Sequence, residues 1–255
     1  MVEIKTRAEI DAMREAGRVV GRALAAVREH AAVGVTLTEL DEVAHAVIRD
    51  AGATSPFLNY RPHFAMTPFP AVICASVNDA ALHGIPDGYR LMDGDLLSID
   101  CGATLDGWTG DAAISFNVGH ERPADARLIA ATSAALDAGI AAARPGARIG
   151  DISAAIASVG RAAGYGICGD FGGHGVGRTM HEDPHVANEG RAGRGMKLRA
   201  GIVLAIEPWF LAGGKDEYFI DDDGWTIRSA DGSRAAHVEH TVAITDDGPE
   251  ILTLP

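Results

Sequence analysis

The sequence predicts a mixed α/β chain of the α+β type, built from two similar halves that each place two helices before a set of strands. Helical apolar periodicity opens each half, and apolar or alternating runs follow it. The segments 33–52 and 145–164 also align with each other at a constant offset of 112 residues. We therefore expect one domain over residues 1–255, with halves at roughly 1–120 and 121–255.

The first half opens with two predicted helices. Apolar residues recur at helical spacing from residue 6 to about 31, and Thr6 with Glu9 forms the capping-box pattern of a helix start. A second helix is predicted with Thr38 as its N-cap and Asp41 in the box position. Any two capped amphipathic helices look alike, so the order of the following strands carries the case for a duplication.

The remaining elements follow from turn residues and apolar runs. Residues 53–70 hold four prolines and should be irregular, as should the Gly-rich stretch 169–177. A third helix should begin at Pro123 and run to about 143, and a fourth should cover about 150–163. Strands are expected at about 71–77, in a hairpin around 96–116, and at about 202–209, 216–221, 225–230, 236–244 and 250–253.

Composition excludes several classes of function. With 35 acidic and 22 basic residues the net charge is −13, which argues against nucleic acid or an anionic membrane as a direct partner. The three cysteines are far apart and form no CxxC pair, which favours a reducing compartment. The sequence shows no signal-peptide pattern and no apolar run of membrane-spanning length. We expect a soluble, cytoplasmic protein, and a monomer, because no apolar stripe is left over.

The strongest chemical signal is a pair of acids in the predicted hairpin. Asp100 and Asp111 stand in runs that otherwise indicate buried strand, and Asp106-Gly107 supplies the turn between them. A buried carboxylate without a partner is costly, and two neighbouring carboxylates repel each other. A metal cation between them would resolve both problems. Two hydrogen-bonded or salt-bridged core carboxylates remain the alternative for this stretch alone.

Three more polar residues stand in similar surroundings. His174 lies in GGHGVG, Glu207 interrupts the strand pattern IVLAIEPW, and Glu239 lies inside AHVEHTVAI. Each alone has a structural explanation. Together with the hairpin acids they give four carboxylates and one imidazole, enough to hold two divalent cations with shared ligands. Oxygen donors with a single nitrogen suit Mn, Fe(II), Co or Zn.

A zinc-protease pattern, H-E-x-x-H, also occurs at His181 to His185. That motif requires a helix to bring both histidines to one face. Pro184 and the Gly-rich approach make a regular helix unfavourable here. We therefore do not expect this pattern to be a zinc site.

Five segments together resemble a known family: SVNDAALHGIP, LSIDCGATLDGWTGDAAISF, GGHGVGRTMHEDP, VLAIEPW and HVEHTVAIT. In this order they are similar to the type I methionine aminopeptidases, metallopeptidases of the pita-bread fold, over about Ile4 to Leu254. The resemblance implies two pseudo-symmetric halves with a curved antiparallel sheet inside and helices outside. It also implies removal of the initiator methionine from peptides and nascent chains, with a small second residue preferred, and a possible transient contact with the ribosome.

The resemblance implies a ligand set for two divalent metal ions. Asp100, Asp111 and Glu239 would hold one ion, and Asp111, His174, Glu207 and Glu239 would hold the other. A water or hydroxide between the ions would be the nucleophile.

The resemblance also implies roles around the substrate. Glu207 would act as general base, His181 would stabilise the developing oxyanion, and His83 would contact the scissile amide nitrogen. The residues that match substrate-pocket positions of the family are Phe69, Cys74, His83, Met180 and Trp225.

The departures from the family concern the pocket. The segment RPHFAMTPFPAVIC before Cys74 is longer and richer in proline than the family's loop. Met180 stands where phenylalanine is common, Ala112 where threonine is common, and His237 where glutamine is common. Two alternatives remain. An Xaa-Pro aminopeptidase of this fold usually carries a large extra N-terminal domain, and a catalytically weak or silent peptide-binding relative typically loses metal ligands.

Overall fold

The computed structural model describes residues 2–62 and 65–255, so His63 and Phe64, in the loop that departs from the family, lie outside the described residues. Four α-helices lie in the described part of the chain: α1 (Arg7–His30), α2 (Leu37–Asp50), α3 (Pro123–Ala142) and α4 (Ile149–Ala162). All four match predicted helices. None of them is both long enough and apolar enough to cross a membrane.

The start of α2 corrects the sequence prediction. Its N-cap is Thr36, whose hydroxyl accepts the backbone N–H of Glu39 at 3.2 Å while the Glu39 carboxylate accepts the N–H of Thr36 at 2.7 Å. The prediction of Thr38 with Asp41 was wrong. The Asp41 carboxylate instead accepts two backbone N–H groups at the start of the first strand, at 2.8 and 3.0 Å. The cap of α1, formed by Thr6 with Glu9, is confirmed.

Thirteen strands lie in the same described part: β1 (Ile73–Val77), β2 (Ala80–Leu82), β3 (Leu96–Leu105), β4 (Trp108–Asn117), β5 (Gly173–Gly175), β6 (Glu182–Val186), β7 (Val203–Ile206), β8 (Trp209–Leu211), β9 (Tyr218–Ile220), β10 (Ile227–Ser229), β11 (Ala235–His237), β12 (Glu239–Thr245) and β13 (Gly248–Ile251). The predicted strands at 202–209 and 236–244 are each divided in two. Strand β5 lies in the Gly-rich stretch 169–177 that was predicted to be irregular, and no strand was predicted at β2 or β6, because strands of three to five residues carry too little periodicity.

The main sheet is antiparallel, with strand order β1-β3-β4-β12-β7-β5-β6 and β13 on the free part of β12. The β3–β4 hairpin pairs in register from Leu96–Asn117 to Leu105–Trp108, as the Asp106-Gly107 turn predicts. Helices α1 and α2 cover β1, β3 and β4 through one apolar cluster, and α3 and α4 cover β7 and β12 through another. The four helices thus pack against one face of the sheet and leave the opposite face uncovered by helices.

Helix α1 approaches the sheet closely because two glycines remove side chains from the contact. A Cβ on Gly110 of β4 would lie 2.9 Å from the Cα of Gly17 in α1, and a Cβ on Gly17 would lie 2.2 Å from the carbonyl oxygen of Leu252. Neither position has space for a methyl group, since real Cβ contacts are longer than these. This contact ties the first helix to the hairpin and to the C-terminal segment.

The two similar sequence segments adopt the same local structure. Gly34 and Gly146 have φ angles of +92° and +91°, and α2 and α4 each begin three residues later. In each copy an acid three residues after the N-cap accepts the N-cap N–H at 2.7 Å, Glu39 in α2 and Asp151 in α4. The offset of 112 residues between these copies therefore holds for caps as well as for sequence. That the halves arose by duplication stays a prediction.

Candidate metal centre and active site

Strand register brings the predicted acids to the face of the sheet away from the helices. Asp100 on β3 lies opposite Ala113 on β4, and Ala113 lies opposite Glu239 on β12, so these positions form one row. Asp111 is two residues from Ala113 along β4 and therefore projects from the same face. Cys101, the neighbour of Asp100, points the other way into the core beneath α1 and α2. Alternation along each strand thus separates a metal-binding face from an apolar face.

His174 and Glu207 enter the same face from the second half. His174 on β5 pairs with Ala205 on β7, and Glu207 follows β7 two residues later. The His174 Nε2 atom lies 3.4 Å from Glu207 Oε1 and 3.9 Å from Asp111 Oδ2. One donor atom each of Asp111, His174 and Glu239 lie within 4.8 Å of one another. The five predicted ligands therefore converge on one place.

The protonation of His174 suits a ligand. Its Nδ1 lies 2.8 Å from the carbonyl oxygen of Gly175, which can only accept, so Nδ1 carries the proton. The lone pair is then on Nε2, which faces the carboxylates. Burial lowers the pKa of His174 to about 3, so the ring is neutral at physiological pH.

Burial and mutual repulsion both act on the carboxylates of this cluster. Burial raises the pKa of Asp100 to about 7 and that of Glu207 to about 8. Burial, together with the neighbouring carboxylates, also raises the pKa of Asp111 and Glu239. Among the described residues, no lysine or arginine pairs with these acids, and Asp100 Oδ1, Asp111 Oδ1 and Glu239 Oε1 accept no hydrogen bond. Unpaired buried oxygens beside a free imidazole nitrogen fit a divalent cation.

The pKa values predict how stability changes with pH when metal is removed. Asp100 and Glu207 have raised folded-state pKa values, so their contribution to stability is full below about pH 4 and is lost as pH rises through 7 and 8. His174 and His83 have lowered values, so their contribution is full above their ordinary pKa of 6.5 and declines only below it. Between pH 6.5 and 8 the contribution of the two histidines to stability is therefore constant, and only the contribution of Asp100 and Glu207 decreases.

We therefore expect chelator-treated protein to lose stability from pH 6.5 to 8, by about 1.4 kcal/mol per pH unit for each carboxyl group that keeps its proton only when folded. Thermal unfolding with a chelator at half-unit pH steps measures this loss, which amounts to about 2–4 °C in Tm per kcal/mol at this chain length. Added Mn(II) or Co(II) should remove the trend, because the ion replaces the protons. A flat profile in chelator would contradict the expectation.

A cavity of about 210 Å³ opens at this cluster. All eleven residues singled out from the sequence line it: Phe69, Cys74, His83, Asp100, Asp111, His174, Met180, His181, Glu207, Trp225 and Glu239. In this lining the acids lie in close groups with His174, while Phe69, Cys74, Met180 and Trp225 belong to a separate buried apolar cluster. Such a cavity accommodates a ligand with a polar end and an apolar side chain.

The apolar part of the lining is a packed cluster that includes Phe69 of the proline-rich loop before Cys74. Phe69 lies edge-on to Trp225 with ring centroids 5.1 Å apart, and both are buried. The Trp225 indole N–H donates to the carbonyl oxygen of Thr67 at 3.1 Å, which ties the loop to the far side of the pocket. Cys74 and Met180 belong to the same buried cluster. The proline-rich loop before Cys74 thus presents an aromatic wall to the cavity.

His83 is held in a sparsely populated backbone conformation. Its φ angle is +56°, a region that non-glycine residues rarely adopt. The next residue fixes it there, because the Gly84 N–H donates to Ser76 Oγ at 3.1 Å and the Gly84 carbonyl accepts the Ala75 N–H at 2.8 Å. Burial lowers the pKa of His83 to about 4, and its Nδ1 has no hydrogen-bond partner among the described residues. A neutral imidazole is thus available at the cavity wall.

Two residues at the site were given no role from the sequence. Tyr60 lies in the proline-rich stretch, where no periodicity indicates its position, yet its hydroxyl lies 2.9 Å from His181 Nδ1. His237 was noted only as a substitution, yet its Nε2 lies 3.7 Å from Glu207 Oε2. Its position two residues before Glu239 in a strand pattern was the available signal, because such residues share a face.

The H-E-x-x-H pattern does not form a zinc-protease site. Residues Glu182–Val186 are strand β6, not a helix. His185 is exposed and pairs in register with His174 on β5. The prediction that this pattern forms no regular helix is confirmed.

Comparison with known proteins identifies the protein family. Residues 11–246 match metallopeptidase family M24, and the chain belongs to that family. A methionine aminopeptidase 1 of Mycobacterium tuberculosis is 52% identical, covering 100% of this chain and 96% of the relative. The crystal structure of methionine aminopeptidase from Thermotoga maritima superposes with a TM-score of 0.94 at 37% identity and covers 100% of both chains.

A more distant likeness concerns the fold alone. Prolidase from Pyrococcus furiosus gives a TM-score of 0.77 at 23% identity, covering 99% of this chain but 65% of the prolidase. Together with the Thermotoga structure, it confirms the predicted pita-bread fold, with its curved antiparallel sheet and four outer helices.

Proposed function

We propose that this chain is a metal-dependent aminopeptidase that removes methionine from the N-terminus of peptides and nascent proteins. The observation that carries the proposal is one cavity with a buried carboxylate–histidine cluster on one side and the Phe69–Trp225 wall on the other. Relatives that match over nearly their whole length are methionine aminopeptidases, which supports the same substrate here.

The donor set supports two divalent ions. Asp100, Asp111 and Glu239 would hold one, and Asp111, His174, Glu207 and Glu239 the other. When bound, such ions supply Lewis acidity that activates a water and polarises the scissile carbonyl. We propose Mn, Fe(II), Co or Zn, the metals that carboxylates with imidazole accept.

The chain's own residues then have distinct tasks. Glu207, whose Oε1 lies 3.4 Å from His174 Nε2 in the cluster, would take a proton from the attacking water and return it to the leaving amine. Tyr60 can donate its hydroxyl hydrogen to His181 Nδ1, which leaves Nε2–H as the donor to the developing oxyanion. The neutral ring of His83 would contact the scissile amide nitrogen.

The two sides of the cavity account for the choice of substrate. A free amine is attracted to the acidic side, and an unbranched apolar side chain can lie against Phe69, Met180 and Trp225, which are all buried. Methionine has both features. A small second residue is proposed because His83 and His181 both line the same cavity and would crowd a bulky one.

The location and oligomeric state of the protein in the cell are also proposals. We propose that the protein acts in the cytoplasm as a monomer, with a possible transient contact at the ribosome. Its three cysteines are free and buried, which suits a reducing compartment.

A peptide series tests the function. Full-length protein loaded with Mn(II) or Co(II) should release methionine from Met-Ala and Met-Gly peptides, and the N-acetylated forms should stay intact because they lack the free amine. Cleavage of Ala-Pro peptides without cleavage of Met-Ala would show an Xaa-Pro enzyme instead. Binding of Met-Ala without turnover in either metal would show a silent peptide-binding protein.

A further inference from the structure

His237 is held rigidly beside the metal centre. It ends β11, where it pairs with Trp209 of β8. Its backbone N–H donates to Ser115 Oγ at 3.0 Å, and the Ser115 hydroxyl donates to its carbonyl at 2.7 Å. Only 2% of the residue is exposed. The backbone of His237 is therefore held on both sides, and its imidazole is buried.

The Nε2 atom of His237 faces the carboxylates of Glu207 and Glu239. Among the described residues none forms a hydrogen bond with His237 Nε2. The nearest acidic oxygens are Glu207 Oε2 at 3.7 Å and Glu239 Oε2 at 3.9 Å. Both distances are too long for hydrogen bonds, which would lie near 2.9 Å. A buried nitrogen aimed between two carboxylates thus lacks the contact that would offset its burial.

These distances match two donors that share an ion. With metal–ligand bonds of about 2.1 Å, donor atoms around one ion lie about 3–4 Å apart. His174 Nε2 has the same spacing to its carboxylates, 3.4 Å to Glu207 Oε1 and 3.9 Å to Asp111 Oδ2. Glu207 thus presents one oxygen to each imidazole. Donor atoms of Glu207, His237 and Glu239 also lie within 4.8 Å of one another.

We propose that His237 is a second imidazole ligand of the metal centre, binding an ion together with Glu207 and Glu239. The proposal rests on the metal centre of the proposed function and adds a nitrogen donor to it. A second nitrogen favours Zn, Co and Fe(II) over Mn and Mg, which prefer oxygen donors. His237 is then the residue that sets the metal preference of this chain.

A count of coordinated imidazoles tests the proposal directly. In the Co(II)-saturated protein each ligating ring bound through Nε2 gives one strongly shifted, solvent-exchangeable N–H proton signal. Wild-type protein should show two such signals, and His237→Gln should remove one while His174→Gln removes the other. A single signal in wild type, retained in His237→Gln, overturns the proposal. Because the wild-type count needs no variant, a His237→Gln protein that fails to fold leaves the test intact.

Metal affinity gives an independent measurement. By calorimetry, His237→Gln should weaken Co(II) and Zn(II) binding by about 10–100-fold and change Mn(II) binding far less. The matched control is His240→Gln, because His240 points to the opposite face of β12, where its Nδ1 lies 2.8 Å from Thr253 Oγ1. Equal affinities for all three ions in His237→Gln and wild type would contradict the proposal.

The outcomes also separate this inference from the proposed function. Wild-type protein that binds no divalent ion, or binds ions but releases no methionine, would overturn the proposed function. Wild-type protein that releases methionine with one coordinated imidazole would overturn only the role of His237.

Discussion

Asp111→Asn is expected to abolish metal binding and peptide cleavage together while the fold remains intact. Asp111 is 4% exposed, and its Oδ2 lies 3.9 Å from His174 Nε2 in the group that could hold an ion. Asparagine keeps the shape but offers a neutral, weaker donor. We expect metal affinity to fall at least about 100-fold and kcat/KM at least about 1,000-fold, a loss of about 4 kcal/mol in transition-state stabilisation.

The fold should survive because Asp111 is anchored through its backbone. Its N–H donates to Thr241 Oγ1 at 2.9 Å, and its carbonyl accepts the Thr241 hydroxyl at 2.8 Å. Asparagine keeps both bonds and removes a buried carboxyl group whose pKa burial raises, so the Tm in chelator at neutral pH should equal or exceed that of wild type.

The matched control is Asp125→Asn. Asp125 is also 4% exposed, but its carboxylate pairs with Arg234 at 2.5 Å, away from the cavity. That variant should lose stability and keep metal binding, the reverse of Asp111→Asn. An Asp111→Asn protein that still binds two ions and turns over methionyl peptides would contradict the assignment of this residue.

The clustering of the acids in the candidate metal centre could be predicted because sheet geometry converts sequence alternation into position. Asp100, Asp111 and Glu239 each interrupt an apolar strand pattern, and antiparallel register places them on one face. An acid at a position that should be buried is itself the signal, since burial without a partner is unfavourable. The sequence thus indicated the residues, and the fold brings them together.

The cap of α2 shows where local pattern is insufficient. Thr36 with Glu39 and Thr38 with Asp41 both fit the looser capping-box pattern, in which an acid lies three residues after a threonine. Tertiary structure decides, because the Asp41 carboxylate is engaged by the backbone at the start of β1. Where two capping-box patterns overlap, the position of the helix start therefore depends on the tertiary contacts of the acids involved.

The missed contact of Tyr60 has a different cause. Irregular segments carry no period from which a side-chain direction follows, and Tyr60 meets His181 across 121 residues of sequence. Only the folded loop defines that contact. His237 did carry a signal, because it lies two residues before Glu239 in one apolar strand pattern, which the fold divides into β11, ending at His237, and β12, beginning at Glu239.

His181→Ala is expected to lower kcat about 100- to 1,000-fold, the effect of losing one donor to a developing oxyanion. The ring of His181 lies against that of His174, with centroids 4.3 Å apart, but it belongs to neither group of side chains that could hold an ion. Metal affinity should therefore stay within a few-fold of wild type, and KM should change little. A large loss of metal binding would instead make His181 part of the metal centre.

Tyr60→Phe tests whether the Tyr60 hydroxyl determines which ring nitrogen of His181 carries the proton. The Tyr60 hydroxyl, 2.9 Å from His181 Nδ1, favours the ring form with the proton on Nε2. Its removal leaves both tautomers accessible and should lower kcat about threefold to tenfold, the effect of about one net hydrogen bond. Tyr89→Phe is the control, since its hydroxyl bonds Asp95 at 2.9 Å outside the cavity lining. If Tyr60→Phe keeps full kcat while His181→Ala loses it, the His181 tautomer does not depend on Tyr60, and the donor must be oriented by the substrate.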